Sequence, residues 1–168
     1  MAQGGKGAVL RQLVGSLLRL VFSGLRAKAI VQNDDDAALL VEAGIVAKSD
    51  LVLIRGSGVD LALFPAVDEP RTPEPLVILP ARLIWHKGLV EFVEAARLLK
   101  RQGLRARFAL VGEADGENPV AVAKATLDQW RASGDVELWG RRDDMPQVLA
   151  QCNLVCLPSY REGLPKAL

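Results

Sequence analysis

Charged side chains stand at two points of the chain where a short apolar run gives way to a turn. Arg82 and Lys87 follow the run 76–79, and Glu162 follows the run 154–157. Arginine offers a planar fork to an oxyanion and lysine a compact point charge, so the two together suit a doubly charged group such as a diphosphate. A carboxylate instead accepts hydrogen bonds from hydroxyls. A nucleotide sugar carries both kinds of group and matches this set of residues.

These turns belong to a regular alternation of apolar and amphipathic stretches. Continuous apolar runs predict buried strands at 27–31, 51–54, 76–79, 108–111, 136–139 and 154–157. Helices are predicted from Asn33 to about Ala43, over 89–99, from the Asn118-Pro119 start, and over 144–151. Apolar strands separated by helices are typical of a Rossmann-like α/β fold, a parallel sheet with helices on both faces. Such sheets bind ligands at the carboxyl ends of their strands, where the charged turns lie.

The segment 158–165 resembles the start of a further helix, with Glu162 in its first turn. Backbone N–H groups at a helix start attract phosphate, so Gly163 and Leu164 are expected to face the same ligand as Arg82 and Lys87. Arg141 follows the predicted strand 136–139 and is a candidate contact for the nucleotide base. His86 is interpreted as a loop residue without a catalytic role.

Proline density marks a boundary within the chain. Four of the nine prolines fall within 65–75, which predicts a linker or boundary loop because proline interrupts helices and central strands. Residues 1–64 are therefore expected to belong to one domain and residues 76–168 to another.

Charge is unevenly distributed along the chain. Residues 1–33 hold five of the 21 basic side chains and none of the 20 acidic ones, so the remainder is net acidic and a domain-wide field for nucleic acid is excluded. Within this region an apolar stripe recurs at helical spacing: Leu10, Leu13, Val14, Leu17, Val21 and Leu25. Arg19 interrupts it, so the helix is not a membrane span. It either covers a domain or lies on an anionic membrane.

Other classes of protein are disfavoured by residue counts. Two cysteines and one histidine cannot supply a disulfide scaffold or a structural zinc site. The Gly56-Ser57-Gly58 turn is followed by Leu61 where a dinucleotide fingerprint needs a third glycine, which weakens a dehydrogenase interpretation.

Taken in order and at their spacing, four segments resemble the family 4 (group 1) glycosyltransferases, which have the two-domain GT-B fold. The segments are Arg82-x4-Lys87-Gly88, Gly56-Ser57-Gly58-Val59-Asp60, Asn118-Pro119 and Pro158-Ser159-Tyr160-Arg161-Glu162-Gly163-Leu164-Pro165. The Tyr-Arg-Glu-Gly-Leu-Pro variant is similar to the subset that builds lipid-linked saccharides for capsule, exopolysaccharide, O-antigen or glycoprotein glycans.

The resemblance implies a fragment truncated at both ends. Residues 1–64 would be the end of the N-terminal acceptor domain, and 76–168 would be most of the nucleotide-sugar-binding donor domain. The second glutamate of the family's E-x7-E motif would fall at position 170, past Leu168. A chain of this extent is expected not to turn over by itself, because a GT-B active site lies between two domains.

The resemblance also implies roles for individual residues. Arg82 and Lys87 would neutralise the donor diphosphate without a metal or cofactor, and Glu162 would face the donor sugar, which makes these three the catalytic candidates. The implied donor-binding residues are Arg82, Lys87, Arg141, Glu162, Gly163 and Leu164.

The implied function is transfer of a sugar, with retention at the anomeric carbon, from a nucleotide sugar to a glycan or polyprenyl-linked saccharide. The implied location is the cytoplasm, peripheral on the inner face of the membrane. Two alternatives stay open: a nucleotide-sugar-binding remnant without turnover, and an unrelated Rossmann-like interaction domain.

Overall fold

The computed structural model describes residues 5–24, 27–56, 58–163 and 165, and these form two compact units. The first unit runs up to Gly58 and takes in Gly163 and Pro165, and the second is Val59–Glu162. Within the described ranges, no helix is long and apolar enough to cross a membrane.

The first unit is a small parallel α/β arrangement. Its elements are α1 (Gly5–Gly24), β1 (Ala29–Val31), α2 (Asp34–Glu42), a 3-10 turn (Lys48–Asp50) and β2 (Leu51–Leu53). Strands β1 and β2 pair in parallel, with Ala29 opposite Leu51. Helix α2 begins where the Asn33 side chain accepts a hydrogen bond from the Asp36 N–H at 2.7 Å, and it ends before Gly44, which has a positive φ of 61°. The helix predicted from Asn33 is therefore confirmed.

The apolar stripe of α1 is exposed. The side chains of Val9, Leu10, Leu13, Val14, Leu17, Leu20 and Val21 are between 43% and 71% exposed. The half-buried side chains of the helix are instead Leu18 and Phe22, and Arg19 donates to the Ala43 carbonyl oxygen, with 2.6 Å from its Nη2. The interpretation that the stripe packs onto a domain is therefore not what the structure shows. Leu25, the last residue of the predicted stripe, lies outside the described residues.

The second unit contains the larger sheet. Its elements are β3 (Leu76–Pro80), α3 (Leu89–Arg101), β4 (Arg107–Val111), α4 (Lys124–Ala132), β5 (Glu137–Gly140), α5 (Met145–Gln151) and β6 (Leu154–Val155). The strand order is β5-β4-β3-β6, and every neighbouring pair is parallel. The strands lie within two residues of their predicted limits.

Two separate apolar clusters cover the two faces of this sheet. Leu79, Phe108 and Leu110 pack with residues of α3 and α4 on one face. Ile78 and Ala109, which alternate with them along the strands, pack with Val148 of α5 on the other. The prediction of a parallel sheet with helices on both faces is confirmed.

The predicted helix start at Asn118-Pro119 is wrong. The Asn118 side chain accepts a hydrogen bond from the Val120 N–H at 3.1 Å, which closes a turn, and α4 begins only at Lys124. After this turn the chain pairs with the loop that follows β3: Trp85 N–H donates to the Val120 carbonyl, and Val122 N–H donates to the Leu83 carbonyl. Burial of Val122 and this pairing hold the chain out of the helix that an Asn-Pro start favours.

A helix start within 158–165 is also not found in the residues described there. Strand β6 ends at Val155, and residues 156–163 lie outside helices and strands. The chain instead follows the loop after β3, because Tyr160 N–H donates to the His86 carbonyl at 3.0 Å. Leu164 and residues 166–168 lie outside the described part of the chain.

Candidate functional site

The carboxyl edge of the second unit's sheet brings four loops together. Arg82 follows β3, Glu113 follows β4, Arg141 follows β5 and Glu162 follows β6. Because the strands are parallel, all four residues lie beyond the same edge, and they alternate in charge along it. A polar ligand at this edge meets cations and carboxylates in turn.

The loop after β3 is fixed against the loop after β4. Ala81 N–H donates to the Val111 carbonyl, and Leu83 N–H donates to the Glu113 carbonyl at 2.9 Å. Gly112 has a φ of 151°, and a Cβ added there would lie 1.9 Å from the Ala81 carbonyl oxygen. Only glycine permits this close approach, so the backbone that carries Arg82 is rigidly placed.

The loop after β3 is equally fixed against the loop after β6. Gly88 adopts the left-handed conformation at φ 70°, and a Cβ added there would lie 2.2 Å from the Pro158 carbonyl oxygen. The hydrogen bond from Tyr160 N–H to the His86 carbonyl crosses the same seam. This packing places Lys87 and Glu162 side by side.

Lys87 and Glu162 form an ion pair at the β3–β6 end of the edge. Lys87 Nζ lies 2.5 Å from Glu162 Oε1, and the two side chains are 21% and 26% exposed. Burial alone raises the pKa of Glu162, but the hydrogen bond from Lys87 and the interaction with the Ser159 hydroxyl outweigh it and lower this pKa overall. The glutamate is thus held ionised against the lysine, so both charges are in place for a ligand.

Arg82 differs from Lys87 in its surroundings. Its side chain is exposed and makes no hydrogen bond or ion pair with another described residue. Its guanidinium is therefore available to an anion without first breaking an internal contact, and it can bind two oxygens at once.

Arg141 is held loosely at the far end of the edge. Its guanidinium lies 3.6 Å from the Glu113 carboxylate and 3.4 Å from that of Asp143, and the side chain is 69% exposed. The neighbouring Arg142 is engaged locally with Asp144 at 2.5 Å. Contacts as long and exposed as those of Arg141 leave it able to turn towards a ligand.

Other predicted residues fall in different surroundings. His86 is exposed in the 3-10 turn Trp85–Lys87, as expected for a loop residue. Gly163 is exposed and belongs to the first unit, and Leu164 lies outside the described residues. The expected approach of their N–H groups to Arg82 and Lys87 stays a prediction.

Sequence reasoning missed two residues of this edge. Glu113 was detectable, because it directly follows a predicted strand and its glycine. Glu91 was not: it accepts a hydrogen bond from the hydroxyl of Tyr160, 69 residues away in sequence. No cluster of His, Cys, Asp and Glu side chains that could hold a metal ion occurs in the part of the chain that is described.

Comparison with known protein families identifies the chain. Residues 74–168, more than half of its length, match the family described as glycosyl transferases group 1. The chain belongs to the group 1 glycosyltransferases. The unrelated interaction domain considered above is thereby excluded.

Two relatives of this chain are also described as sugar transferases. The chain is 33% identical, over 175 aligned residues, to the N,N'-diacetylbacillosaminyl-diphospho-undecaprenol alpha-1,3-N-acetylgalactosaminyltransferase of Campylobacter jejuni, covering 97% of this chain and 44% of the relative. It is 29% identical over 127 residues to a putative colanic acid biosynthesis glycosyltransferase, WcaL, of Escherichia coli, covering 70% and 30%. The chain thus spans less than half the length of these relatives.

Solved structures share the fold. HepE of Anabaena, crystallised with UDP and glucose, superposes with a TM-score of 0.65 at 20% identity, over 89% of this chain and 43% of that one. WaaG, a glycosyltransferase of lipopolysaccharide biosynthesis, superposes with a TM-score of 0.60 at 14% identity, over 81% and 39%. The expected GT-B type α/β fold class is confirmed.

Proposed function

We propose that this chain is the donor-binding part of a retaining glycosyltransferase that moves a sugar from a nucleotide sugar to a glycan or lipid-linked saccharide. The observation that carries the proposal is the Lys87–Glu162 pair at the carboxyl edge, where the exposed Arg82 also lies and makes no ion pair with a described residue. We propose cell-surface polysaccharide or glycoconjugate biosynthesis as the process, because one relative is described as acting in colanic acid biosynthesis and the other as acting on an undecaprenol-linked saccharide.

The leaving group of such a reaction is a nucleoside diphosphate. Negative charge grows on the bridging oxygen as the bond to the sugar breaks, and fixed cations lower the barrier by stabilising it. Arg82 and Lys87 supply those cations, and we propose that they do so without a metal ion. An unchanged rate in the presence of a chelator, measured on a full-length active relative, is the expected result.

The Lys87–Glu162 contact explains how one edge serves both parts of the donor. In the ligand-free protein the carboxylate neutralises the lysine, so neither charge is left without a partner in its half-buried position. A diphosphate competes with Glu162 for Lys87, because it offers more than one oxygen and carries a higher negative charge. Glu162 then accepts hydrogen bonds from the sugar hydroxyls in place of the one from Lys87.

The acceptor side is proposed from the relatives and from the first unit. By its name, the Campylobacter relative acts on an undecaprenol-linked saccharide. We propose a similar polyprenyl-linked acceptor and a location on the cytoplasmic face of the membrane, with residues 1–64 at the end of the acceptor domain and residues 65–75 as a linker. Since the chain spans 44% of that relative, we expect weak donor binding but no measurable transfer by the chain alone.

The exposed stripe of α1 fits contact with an anionic membrane. Its seven exposed Leu and Val side chains lie within a region of sequence that has five basic residues and no acidic one. Binding to vesicles containing anionic lipid should fall as salt rises, and Leu13→Gln with Leu17→Gln should weaken it. Equal binding to neutral vesicles, or no binding, would contradict contact with an anionic membrane.

Donor binding tests the central proposal. Calorimetric titration of the chain with UDP, ADP and GDP is expected to detect weak binding of at least one of them, and Lys87→Ala should weaken it about tenfold or more. Lys124→Ala is the matched control, because Lys124 is an exposed lysine paired with Asp128 on α4. In an active full-length relative, the equivalent loss should cost about 2–4 kcal/mol in transition-state stabilisation. Binding that is equal in both variants would contradict the donor site, and donor binding without transfer in a two-domain protein would favour a binding remnant.

A further inference from the structure

The turn that carries Glu162 lies outside helices and strands, over residues 156–163. Cys156 N–H donates to the Ile78 carbonyl, and Tyr160 N–H donates to that of His86. Among its contacts, Glu162 pairs with Lys87 of the loop after β3 and interacts with the Ser159 hydroxyl.

Donor binding removes one of these contacts. The proposed mechanism requires Lys87 to leave Glu162 for the diphosphate, at the moment when Glu162 must face the sugar. A carboxylate that is free to swing away would lose its hydrogen bonds to the hydroxyls, since positioning has to be maintained within a fraction of an ångström. A contact of the turn that does not involve Lys87 is kept in that state and limits this movement.

The Tyr160 side chain supplies such a contact. Its hydroxyl donates to the Glu91 carboxylate, while its backbone N–H donates to the His86 carbonyl. Tyr160 is therefore attached at both ends to the segment that also carries Lys87. It stands two residues before Glu162, so it limits how far that residue can move.

Glu91 is a suitable anchor for the tyrosine. It lies in the first turn of α3, between Leu89 and Phe92, whose side chains are 0% and 3% exposed. Those buried neighbours fix the helix against the sheet, so the carboxylate is presented from a rigid element. Glu94, one turn later, instead pairs with Arg97 on its own helix at 2.7 Å.

We propose that Glu91 and Tyr160 are positioning residues, which hold the Glu162 turn against the donor sugar when Lys87 transfers to the diphosphate. Neither side chain has to touch the donor. This inference rests on the proposed donor site. It makes the Glu91–Tyr160 contact important for binding the sugar, through the position of Glu162, and unimportant for binding the diphosphate.

The expected signature is a loss of sugar recognition alone. Glu91→Ala and Tyr160→Phe should each weaken binding of UDP-glucose, or of the glucose ester of whichever nucleotide binds, by roughly three- to tenfold, the range for a hydrogen bond to a charged but exposed group. The affinity for the nucleoside diphosphate itself should not fall, because Arg82 and Lys87 are unchanged. Glu94→Ala should change neither affinity by more than about twofold.

A second measurement follows the turn directly. Tyr160 is the only tyrosine in the chain, so its ring signals in an NMR spectrum need no assignment. The hydrogen bond to Glu91 raises the pKa of the Tyr160 phenol, and in Glu91→Ala this pKa should return towards about 10. Exchange of the Tyr160 amide hydrogen with solvent should also become faster, while the circular dichroism of the fold stays the same.

Double variants separate positioning from a general loss of structure. With Glu162→Ala already present, adding Glu91→Ala should cause no further loss of sugar affinity, because the residue being positioned is gone. Equal losses for the nucleoside diphosphate and its sugar ester, or an additional loss in the double variant, would overturn this inference and leave the donor site standing. A wild-type chain that binds no nucleotide would overturn the proposed function and this inference together.

Discussion

The two edges of the larger sheet use the same kinds of side chain in opposite ways. At the amino edge, Arg107 donates to both oxygens of Glu137 at 2.7 and 2.8 Å, and Arg97 donates to Asp135 at 2.6 Å. At the carboxyl edge, Arg82 makes no ion pair with a described residue, and the contacts of Arg141 are 3.4 Å or longer. The amino edge satisfies its charges internally, whereas the carboxyl edge keeps cations available.

This difference is expected if the amino edge contributes to stability and the carboxyl edge is the proposed donor site. A guanidinium whose N–H groups already bind one carboxylate has few donors left for a phosphate, and removing it lowers the stability of the fold. A guanidinium left exposed contributes little to folding and is able to bind an anion. Lys87 lies between these cases, because its carboxylate partner belongs to the site itself.

The largest effect is expected where the carboxyl edge is packed most tightly. Gly88→Ala places a Cβ 2.2 Å from the Pro158 carbonyl and forces alanine to a φ of 70°, so we expect it to lower the free energy of unfolding by about 3–5 kcal/mol. Chemical denaturation measures this. Gly103→Ala is the matched control, because its φ is 81° but nothing lies within 4 Å, and it should cost only about 1–2 kcal/mol. Similar costs for the two would show that the seam at Pro158 is not tight.

The next largest effect is expected when one arginine of each edge is replaced by alanine. Arg82→Ala should weaken nucleoside diphosphate binding about tenfold and change the free energy of unfolding by less than about 0.5 kcal/mol. Arg107→Ala should leave binding unchanged and reduce stability, because Glu137 loses its bidentate partner. Titration calorimetry and denaturation on the same samples check both. A stability loss in Arg82→Ala with unchanged binding would reverse the comparison.

A smaller effect on stability is expected when acid protonates Asp135 at the amino edge. The hydrogen bond from Arg97, followed by that from Ser133, lowers the pKa of Asp135 below its ordinary value. The folded state therefore binds this proton less readily than the unfolded state, and the resulting stability is present above the unfolded pKa of about 4 and lost as pH falls through the folded pKa. Asp135→Asn should lose about 1 kcal/mol or less at neutral pH and show a shallower fall of the melting temperature between about pH 4 and 2. A slope equal to that of the wild type would show that Asp135 does not contribute.

The smallest effect is expected at Arg141. Since its contacts are long and its side chain is 69% exposed, Arg141→Ala should leave stability unchanged and weaken nucleotide binding by no more than about threefold. If Arg141 contacts the nucleotide base, the loss of affinity in Arg141→Ala should differ between UDP and ADP. A uniform loss would indicate that Arg141 acts only through its charge.

Much of the architecture followed from local pattern. The strand runs at 76–79 and 108–111 are apolar throughout, and their residues do alternate between two buried faces, as parallel strands require. Asn33 begins a helix because its side chain caps α2 without help from distant residues. Arg82, Lys87 and Glu162 were placed at one edge because parallel strands end on the same side.

The misplaced elements were those that depend on distant partners. Asn118-Pro119 favours a helix locally, but residues 120–122 gain more from hydrogen bonds to Leu83 and Trp85 and from burying Val122. A helix start was also expected within 158–165, but among the residues described there the backbone at Tyr160 instead follows the loop at His86. Local propensity is worth only tenths of a kcal/mol per residue, so such contacts override it.

The family, the order of strands and helices, and the types of charge at the carboxyl edge could be predicted from the residues alone, because each depends on neighbouring residues or on a fixed spacing. Which of those charges meet depends on how the chain packs. Lys87 lies against Glu162, 75 residues away, and Glu91 meets Tyr160, because Gly88 lets two loops approach to a distance that no other residue allows. Contacts between distant segments depend on the packing of whole elements, and no local pattern records them.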